Sequence, residues 1–239
     1  MITGASSGIG RAIARRLAGQ YRLVLCARRP DRLTQLVADL QLLATDVITQ
    51  SVDLRQEAQI LDFFAQVRQQ WGGVDVLVNN AGLGRKASLL EGETAAWREV
   101  FEVNVLALCI CTREAVQDMR QRGDRGQVLH ISSLSGHRVP ASNGIYAASK
   151  FAVRALTEGL RQELRQAQSQ IKVTAISPGY VQTEFAEKYY QSASQAAELY
   201  GQYPVLQPQD IAEAVWYILS QPDHVQVHDL LLRPTQQPS

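Results

Sequence analysis

Two titratable side chains, Tyr146 and Lys150, lie four residues apart in a segment whose apolar residues have helical spacing. Residues at this separation share one face of a helix, so the phenol and the amine would lie side by side. Such a pair is a candidate for general acid–base chemistry. Taken alone it is a weak signal, because chance often produces the same spacing in a surface helix.

Ser133 stands thirteen residues before Tyr146 and shortly after a strand-like run at 128–131. This order places the serine hydroxyl near the carboxyl edge of a parallel sheet, where open α/β folds bind their ligands. The alternative is an ordinary loop serine. Ser133 is therefore a candidate site residue only in combination with the other motifs at the same edge of the sheet.

A glycine-rich segment, Thr3–Gly10, precedes an amphipathic helical stretch. Glycines allow a tight turn and a close approach to a pyrophosphate, while the helix N-terminus offers free N–H groups and the positive end of its dipole. The spacing is G-x-x-x-G-x-G rather than G-x-G-x-x-G, and a lone glycine cluster is weak evidence. Its position at the start of a βαβ unit favours a dinucleotide site.

The end of the next strand indicates which dinucleotide would bind. In an NAD site this end carries a carboxylate for the ribose 2′-hydroxyl. Here it reads Cys26-Ala27-Arg28-Arg29, without a carboxylate. The two guanidinium groups are suited to the 2′-phosphate of NADP(H), with roughly 1.5–3 kcal/mol for each charge-assisted hydrogen bond. The alternative is a solvated basic turn.

Strand-like and helix-like segments alternate along the chain, with no internal repeat and no linker. Besides the N-terminal residues, the predicted strands are 22–27, 48–52, 74–78, 128–131, 172–176 and 225–232. The predicted helices after the glycine turn are 30–43, 56–71, 101–119, 146–166 and 208–219. This alternation implies βαβ units with right-handed crossovers. We therefore predict one domain, residues 1–239, of the α/β class with a doubly wound (Rossmann), mostly parallel, seven-stranded sheet.

Composition excludes several functional classes. The chain has 239 residues, of which 46% are hydrophobic and 20% charged, as expected for a globular protein with a large core. A net charge of +1 gives no electrostatic reason to bind nucleic acid or an anionic membrane. No uncharged apolar run is long enough to span a bilayer, and the start lacks the features of a signal peptide. We expect a cytoplasmic location.

Cysteine and histidine spacing predicts neither a disulfide framework nor a metal site. Cys26, Cys109 and Cys111 form no CxxC pair, and their number is odd. Free cysteines are usually packing residues. The four histidines are dispersed, and His224 and His228 lie in a segment without helical pattern.

Taken together, these features resemble the short-chain dehydrogenase/reductase family over essentially the whole chain. The matching pieces, in order, are Thr3–Gly10, Asp53-Leu54, Asn79–Gly82, Asn104, Ser133, Tyr146–Lys150 and Pro178–Thr183. So many motifs in the right order make a very specific match. The resemblance implies an NADP(H)-dependent oxidoreductase that transfers a hydride between nicotinamide and a ketone or secondary alcohol.

Within the family the chain is similar to two subgroups. The segments Leu106–Leu108, Thr112–Ala115 and Ser135–Arg138 look like the vertebrate dehydrogenase/reductase member eleven type, a ketosteroid reductase. The segments Arg28–Leu33 and Pro208–Trp216 look like a bacterial NADP-dependent 3-hydroxy acid dehydrogenase that acts on serine. Substrate choice therefore stays open between a ketone and a hydroxy acid.

The resemblance assigns roles to four catalytic residues. Tyr146 would donate a proton to the substrate carbonyl oxygen as hydride arrives. Lys150 would lower the phenol pKa from its ordinary value of about 10 and hold the nicotinamide ribose. Ser133 would orient the carbonyl oxygen, and Asn104 would anchor a water that links Lys150 to solvent.

The resemblance also implies contacts to the cofactor and the substrate. Asp53 would face the adenine, Asn80 and Gly82 the adenosine side, and Val181 and Thr183 the carboxamide. The expected cofactor set, besides Tyr146 and Lys150, is Gly4, Ser6, Ser7, Gly8, Ile9, Gly10, Arg28, Arg29, Asp53, Leu54, Asn80, Ala81, Gly82, Pro178, Gly179, Val181 and Thr183. The expected substrate set is Ser133, Ser135, Tyr146, Tyr180 and Phe185.

One feature departs from the family pattern. The family has a full apolar strand before the glycine motif, whereas only Met1, Ile2 and Thr3 precede Gly4 here. A central parallel strand is buried on both faces and normally forms an apolar run. We expect either an unusually short first strand or a natural gene product that starts upstream of Met1.

Residues 184–206 follow the expected carboxamide-binding turn and should form a lid over the substrate. The lid carries Phe185, Tyr189, Tyr190, Leu199, Tyr200 and Tyr203, and its only cation is Lys188. An unpaired buried carboxylate is very costly, so this segment favours a bulky, mostly apolar ketone. Lys188 or Arg138 could supply the cation that the hydroxy acid alternative requires.

Two further expectations concern assembly and rival functions. The predicted helix 101–119 is apolar on more than one face, which favours a homotetramer over a monomer. A non-catalytic NADP-binding sensor is a rival, but such a protein should lack Tyr146 or Lys150. An epimerase or dehydratase of the extended branch of the family should be longer, with another glycine spacing.

Overall fold

The computed structural model describes residues 1–43, 45–141 and 143–238. One seven-stranded sheet has the order β3-β2-β1-β4-β5-β6-β7, and every neighbouring pair in it is parallel. Its strands are β1 (Ile2–Thr3), β2 (Leu23–Ala27), β3 (Val47–Ser51), β4 (Val76–Asn79), β5 (Gln127–Ile131), β6 (Lys172–Pro178) and β7 (Asp229–Leu232). The predicted doubly wound α/β class is confirmed.

Helices follow the strands along the chain. They are α1 (Gly8–Leu17), α2 (Pro30–Gln41), α3 (Glu57–Trp71), α4 (Thr94–Phe101), α5 (Ala107–Gln121), α6 (Gly144–Gln166), α7 (Phe185–Tyr190), α8 (Ala193–Gly201) and α9 (Pro208–Leu219). A π-helical turn, Glu102–Leu106, joins α4 to α5, and a short 3₁₀ turn, Leu134–Gly136, follows β5.

Two apolar cores lie on opposite faces of the sheet. One packs α1, α2 and α9 against the sheet, with Ile13, Leu36 and Val215 fully buried. The other packs α3 and α5, with Phe64 and Met119 fully buried. Strands covered on both faces read as continuous apolar runs, which is why β2 was recognisable from its sequence.

The first strand is short, as the sequence predicted. β1 lies between β2 and β4, with Ile2 opposite Leu25 on one side and Val78 on the other. Its residues are buried, and the backbone N–H of Val78 donates to the Met1 carbonyl at 2.8 Å. The strand therefore occupies a central position despite its length.

The predicted helix 101–119 differs from the observed one. The helical path begins at Thr94 and passes through the π turn before α5 begins. Side-chain periodicity alone does not detect one inserted residue in a helix, because the apolar pattern resumes beyond it. The predicted last strand, 225–232, is limited to Asp229–Leu232, where it pairs with β6.

Neither a membrane-spanning helix nor a metal cluster occurs in the part of the chain that the structure describes. None of its helices is both long and apolar enough to cross a bilayer. No group of three or more histidine, cysteine or acidic side chains is placed there to hold a metal ion. The cysteines Cys26, Cys109 and Cys111 are free thiols.

Candidate active site

The turn between β1 and α1 borders an open groove at the carboxyl edge of the sheet. A Cβ at Gly10 would lie 2.5 Å from both Asn80 Nδ2 and the Gly4 carbonyl oxygen, so only glycine fits there. Asn80 braces the turn, since its Nδ2 donates to the Thr3 carbonyl at 2.9 Å. No side chain caps the N-terminus of α1 at Ser7, which leaves its N–H groups for an anion.

The groove has a volume of about 610 Å³. It is lined by most of the expected cofactor set: Gly4, Ser6, Ser7, Gly8, Ile9, Arg28, Arg29, Asp53, Leu54, Asn80, Ala81, Gly82 and Thr183. Five others, Tyr146, Lys150, Pro178, Gly179 and Val181, line an adjoining cavity instead. Gly10 lines neither, because it packs against Gly4 and Asn80.

The two arginines after β2 have different surroundings. Arg29 donates to the Ser7 hydroxyl at 2.7 Å and to the Glu184 carboxylate at 2.9 Å. The side chain of Arg28 is 52% exposed, and its ion-pair partner Glu99 lies 3.8 Å away. Arg28 is therefore the guanidinium with more freedom to take up an anionic ligand, and Arg29 the more fixed one.

Glu184 and Asp53 are acidic groups on the groove wall, and both are already paired. Glu184 contacts Arg29, Arg32 and Lys188, and these cations lower its pKa to about 2. Asp53 forms a bidentate pair with Arg55, whose guanidinium lowers the pKa of that carboxyl. Because these carboxylates are compensated, the groove fits the phosphates of a dinucleotide.

Tyr146 lies in the first turn of α6 and is buried, like Lys150 one turn later. A hydrogen bond joins the Tyr146 phenol to Ser133, the residue that begins the 3₁₀ turn after β5. The Ser133 hydroxyl also accepts from the Ser135 backbone N–H at 3.1 Å. The structure thus brings together the tyrosine and the serine that were singled out from the sequence.

The expected lowering of the Tyr146 pKa by Lys150 stays a prediction, because other influences on that pKa dominate in this structure. Burial is the largest influence and raises the pKa of Tyr146 to about 12, although the Ser133 hydrogen bond opposes it. The ammonium of Lys150 donates to the Ile131 carbonyl at 2.9 Å and lies 5.8 Å from the centre of the tyrosine ring. Burial also lowers the pKa of Lys150 to about 8.

Asn104 lies inside the π-helical turn and has protein partners on both ends of its amide. Its Oδ1 accepts from the Leu83 N–H at 2.9 Å, while Nδ2 donates to the Leu83 carbonyl at 2.8 Å and to Ser149 at 3.0 Å. A Cβ at Gly82 would lie 3.4 Å from both Asn104 Oδ1 and Lys150 Nζ. The asparagine therefore joins the loop after β4 to α6, right beside the lysine.

A cavity of about 310 Å³ adjoins the groove along Asn80, Gly82 and Thr183, which line both spaces, and Tyr146 lines the cavity. The expected substrate residues Ser133, Ser135, Tyr146, Tyr180 and Phe185 all line it, and so do Tyr189, Tyr190, Leu199 and Tyr200 of the lid. The Phe185 ring centre lies 5.3 Å from that of Tyr146 and 6.2 Å from that of Tyr189. Aromatic side chains of α7 and α8 thus cover the reactive phenol.

Comparison with known proteins places the chain in a family. The sequence model described as short chain dehydrogenase matches residues 1–194. This chain belongs to the short chain dehydrogenase family. It is an oxidoreductase that acts on CH–OH and C=O groups, as the resemblance implied.

Several curated relatives of this short chain dehydrogenase match over nearly their whole length. Dehydrogenase/reductase SDR family member 11 from Bos taurus is 50% identical, over 99% of this chain and 96% of the relative. The Homo sapiens protein of the same name is 49% identical, over 99% and 94%. Farnesol dehydrogenase from Aedes aegypti is 43% identical, over 98% and 94%.

Solved structures give the same family and architecture. The closed form of serine dehydrogenase complexed with NADP⁺ has a TM-score of 0.93 at 30% identity, covering 100% of this chain and 97% of that one. An alcohol dehydrogenase from Thermococcus sibiricus complexed with 5-hydroxy-NADP has a TM-score of 0.87 at 31% identity, covering 100% and 97%. The expected cofactor class, a nicotinamide dinucleotide, agrees with both.

Cations in this short chain dehydrogenase are distributed unevenly between the two spaces. Lys188 lies on the groove wall, and its ammonium pairs with Glu184 at 2.8 Å. Arg138 lines the cavity, where its Nε is buried without a hydrogen-bond partner among the described residues. Lys86 also lines the cavity but is exposed. Of the two cations considered from the sequence, only Arg138 faces the substrate space.

Three residues of the site were not foreseen from the sequence. Ser149 holds the Asn104 amide, and its hydroxyl donates to the Tyr146 carbonyl at 2.7 Å. Asn143 accepts from the Tyr189 hydroxyl at 3.0 Å and so ties the lid to the start of α6. Glu184 links the lid to the arginines after β2. Only Ser149 has a local signal, since it lies between Tyr146 and Lys150.

Proposed function

We propose that the protein is an NADP(H)-dependent oxidoreductase that transfers a hydride between nicotinamide and a bulky, mostly apolar ketone or secondary alcohol. The observation that carries this proposal is the hydrogen-bonded Tyr146–Ser133 pair, which lines a cavity that adjoins the groove, with the buried Tyr146 phenol beside the aromatic side chains of the lid. The pair would meet a carbonyl oxygen at one end of an apolar space.

The preference for NADP(H) rests on charge at the end of β2. Arg28 and Arg29 line the groove there, and Arg28 is exposed. Asp53 lies nearby, but its carboxylate is paired with Arg55 and is a poor partner for a ribose hydroxyl. The exposed guanidinium of Arg28, with Arg29 beside it, favours a phosphate over a hydroxyl.

The chemistry follows from the states of the site residues. The bound nicotinamide supplies or accepts the hydride. With its pKa raised to about 12, Tyr146 is protonated at neutral pH and can donate to a carbonyl oxygen during reduction. Ser133 would share that oxygen and fix its position. Lys150, with its pKa near 8, would stabilise the phenolate left after proton transfer and hold the ribose.

We assign Asn104 to positioning of the lysine and its surroundings. Its amide joins the π turn, Leu83 and Ser149, and the space beside Gly82 separates Asn104 Oδ1 from Lys150 Nζ. A water in that space would return a proton to Lys150, as the resemblance implied. The remaining acceptor capacity of Oδ1 supports this role.

A second candidate function is a 3-hydroxy acid dehydrogenase of the serine type. The observation that favours it is Arg138 on the cavity wall, with its buried Nε free of a partner among the described residues. A guanidinium in this position could pair with a substrate carboxylate. Aromatic side chains nevertheless line much of the cavity, and a bulky apolar ketone would pack against more of them than a small hydroxy acid would.

The proposed reaction is tested by following NADPH oxidation with a bulky aromatic or steroid ketone, with NADH in parallel. We expect NADPH oxidation that depends on the ketone, with a higher kcat/KM than for NADH. Absence of ketone-dependent oxidation with either cofactor would contradict the proposal.

We further propose a cytoplasmic homotetramer. Large apolar side chains are exposed on α4, the π turn and α6, namely Phe101, Leu106 and Phe151. Large apolar side chains exposed on neighbouring elements are typical of an interface between subunits. Light scattering at micromolar concentration should give a mass equal to four chains, and Leu106→Glu should lower that mass. A wild-type monomer mass would contradict the assembly.

A further inference from the structure

The segment that follows β7, residues 233–238, returns to the active site. Its backbone turns where the Gln237 N–H donates to the Pro234 carbonyl at 3.1 Å. Gln237 is only 7% exposed, although its neighbour Gln236 is exposed. A buried glutamine next to an exposed one indicates that the first side chain has a specific environment.

The environment of Gln237 is the wall of the substrate cavity. Its Oε1 accepts from the Tyr180 backbone N–H at 3.0 Å, and the residue lines the same cavity as Tyr146. A Cβ at Gly179 would lie 2.2 Å from Oε1, so glycine at that position is what lets the amide come so close. The glutamine is thus packed against the loop after β6.

The Tyr180 contact also fixes which end of the amide faces the cavity. A backbone N–H requires an acceptor, so the oxygen of Gln237 must point to Tyr180 and the NH₂ group must point away. Among the described residues, Nε2 makes no hydrogen bond, and this atom keeps some contact with solvent. The cavity wall therefore carries an amide of fixed orientation, with its NH₂ group available, on a side chain that is more than nine-tenths buried.

A second contact holds the segment from the opposite side. Arg138, on the loop after β5, donates through Nη2 to the Pro238 carbonyl at 2.8 Å. The segment is thereby attached to both loops that border the reactive centre. A donor held in this way loses little conformational entropy when a ligand binds.

We propose that Gln237 is a specificity-determining residue, whose Nε2 donates to a second oxygen of the substrate. This rests on the proposed ketone reduction and narrows it to ketones that carry another carbonyl or hydroxyl group on their apolar skeleton. A buried donor left unpaired by a substrate costs about 1–3 kcal/mol, which disfavours the simple ketone.

The test compares a steroid monoketone with the same skeleton bearing a second carbonyl. Gln237→Glu keeps an oxygen for the Tyr180 N–H and replaces the NH₂ donor by an acceptor. We expect the ratio of kcat/KM, diketone over monoketone, to fall about tenfold or more in this variant. Gln236→Glu, the same change at the exposed neighbour, should leave the ratio at the wild-type value.

Two further readouts separate specificity from folding and from cofactor binding. Thermal unfolding and the Kd for NADPH are measured for each variant. The proposal would be overturned if Gln237→Glu lowered kcat/KM equally for both ketones. It would also be overturned if this variant raised the Kd for NADPH and left the diketone-to-monoketone ratio of kcat/KM unchanged. If the wild type reduces neither ketone, the proposed function is wrong. The Gln237 proposal is then decided by the Kd of both ketones for the NADP-loaded protein, where the second oxygen should tighten binding only with Gln237 present.

Discussion

The groove and the cavity meet along Asn80, Gly82 and Thr183, yet the rest of their walls differ in chemistry. The groove is walled by backbone turns and by charged groups that are already paired, such as Arg29 with Glu184 and Asp53 with Arg55. Aromatic rings line much of the cavity, together with the half-buried guanidinium of Arg138. A dinucleotide that many enzymes of this fold use needs only a fixed set of backbone and charged contacts. A substrate that differs from enzyme to enzyme is selected by shape and by a few polar groups.

Glu184 shows how the two spaces are connected. It directly follows Thr183 and pairs with Arg29, Arg32 and Lys188, so the first residue of the lid is anchored to the phosphate end of the groove. The next residue, Phe185, contacts the ring of Tyr146. Glu184, on the groove wall, and Phe185, in the lid, are neighbours in the chain, so a ligand that moves Glu184 should also move the lid.

The largest expected effect lies in the cavity, which Tyr146 lines. Tyr146→Phe removes only the hydroxyl, so kcat for ketone reduction should fall by about 10²–10⁴ while the Kd for NADPH stays nearly unchanged. Steady-state kinetics and cofactor titration measure the two quantities, with exposed Tyr217→Phe as the control. A variant that keeps more than about a tenth of the wild-type kcat would refute the role of Tyr146.

The next effect is confined to the groove. Arg28→Ala should raise KM for NADPH roughly tenfold or more and leave KM for NADH within a few-fold, because the lost hydrogen bonds go to the 2′-phosphate. Arg125→Ala, an exposed arginine outside the groove, is the matched control. Equal kcat/KM for the two cofactors in the wild type would contradict the cofactor assignment.

A pH profile separates the tyrosine from the lysine. Tyr146, with a pKa of about 12, stays protonated across the accessible range, whereas Lys150 loses its proton as the pH rises through about 8. The kcat/KM for ketone reduction should therefore be level below pH 8 and fall above it, by about tenfold per pH unit at the limit. A profile that stays level to pH 10 would show that the lysine charge is not required.

Sequence predicted the groove better than the cavity. The glycine turn, Arg28 and Arg29 lie in short contiguous motifs, and their position at the start of a βαβ unit indicated a dinucleotide site. The cavity draws Arg138, Asn143, Tyr189 and Gln237 from four separate segments, and no local pattern brings them together.

The sequence predicted the fold class and the succession of strands along the chain. It did not predict every helical element. The π turn at Glu102–Leu106 and helix α4 were missed, since an apolar pattern does not record a change of helical pitch. The rise in the Tyr146 pKa could not be predicted from spacing, because its main cause, burial, is a property of the assembled site.

The central claim is that the aromatic cavity selects a bulky, mostly apolar ketone rather than a small hydroxy acid. The most direct measurement is kcat/KM for NADPH-dependent reduction of a steroid or aromatic ketone, against kcat/KM for NADP-dependent oxidation of serine and 3-hydroxybutyrate. We predict a kcat/KM for the ketone about tenfold or more above that for either acid, since apolar burial drives its binding. A tenfold preference for the hydroxy acids would contradict the account and give Arg138 the leading role in recognition.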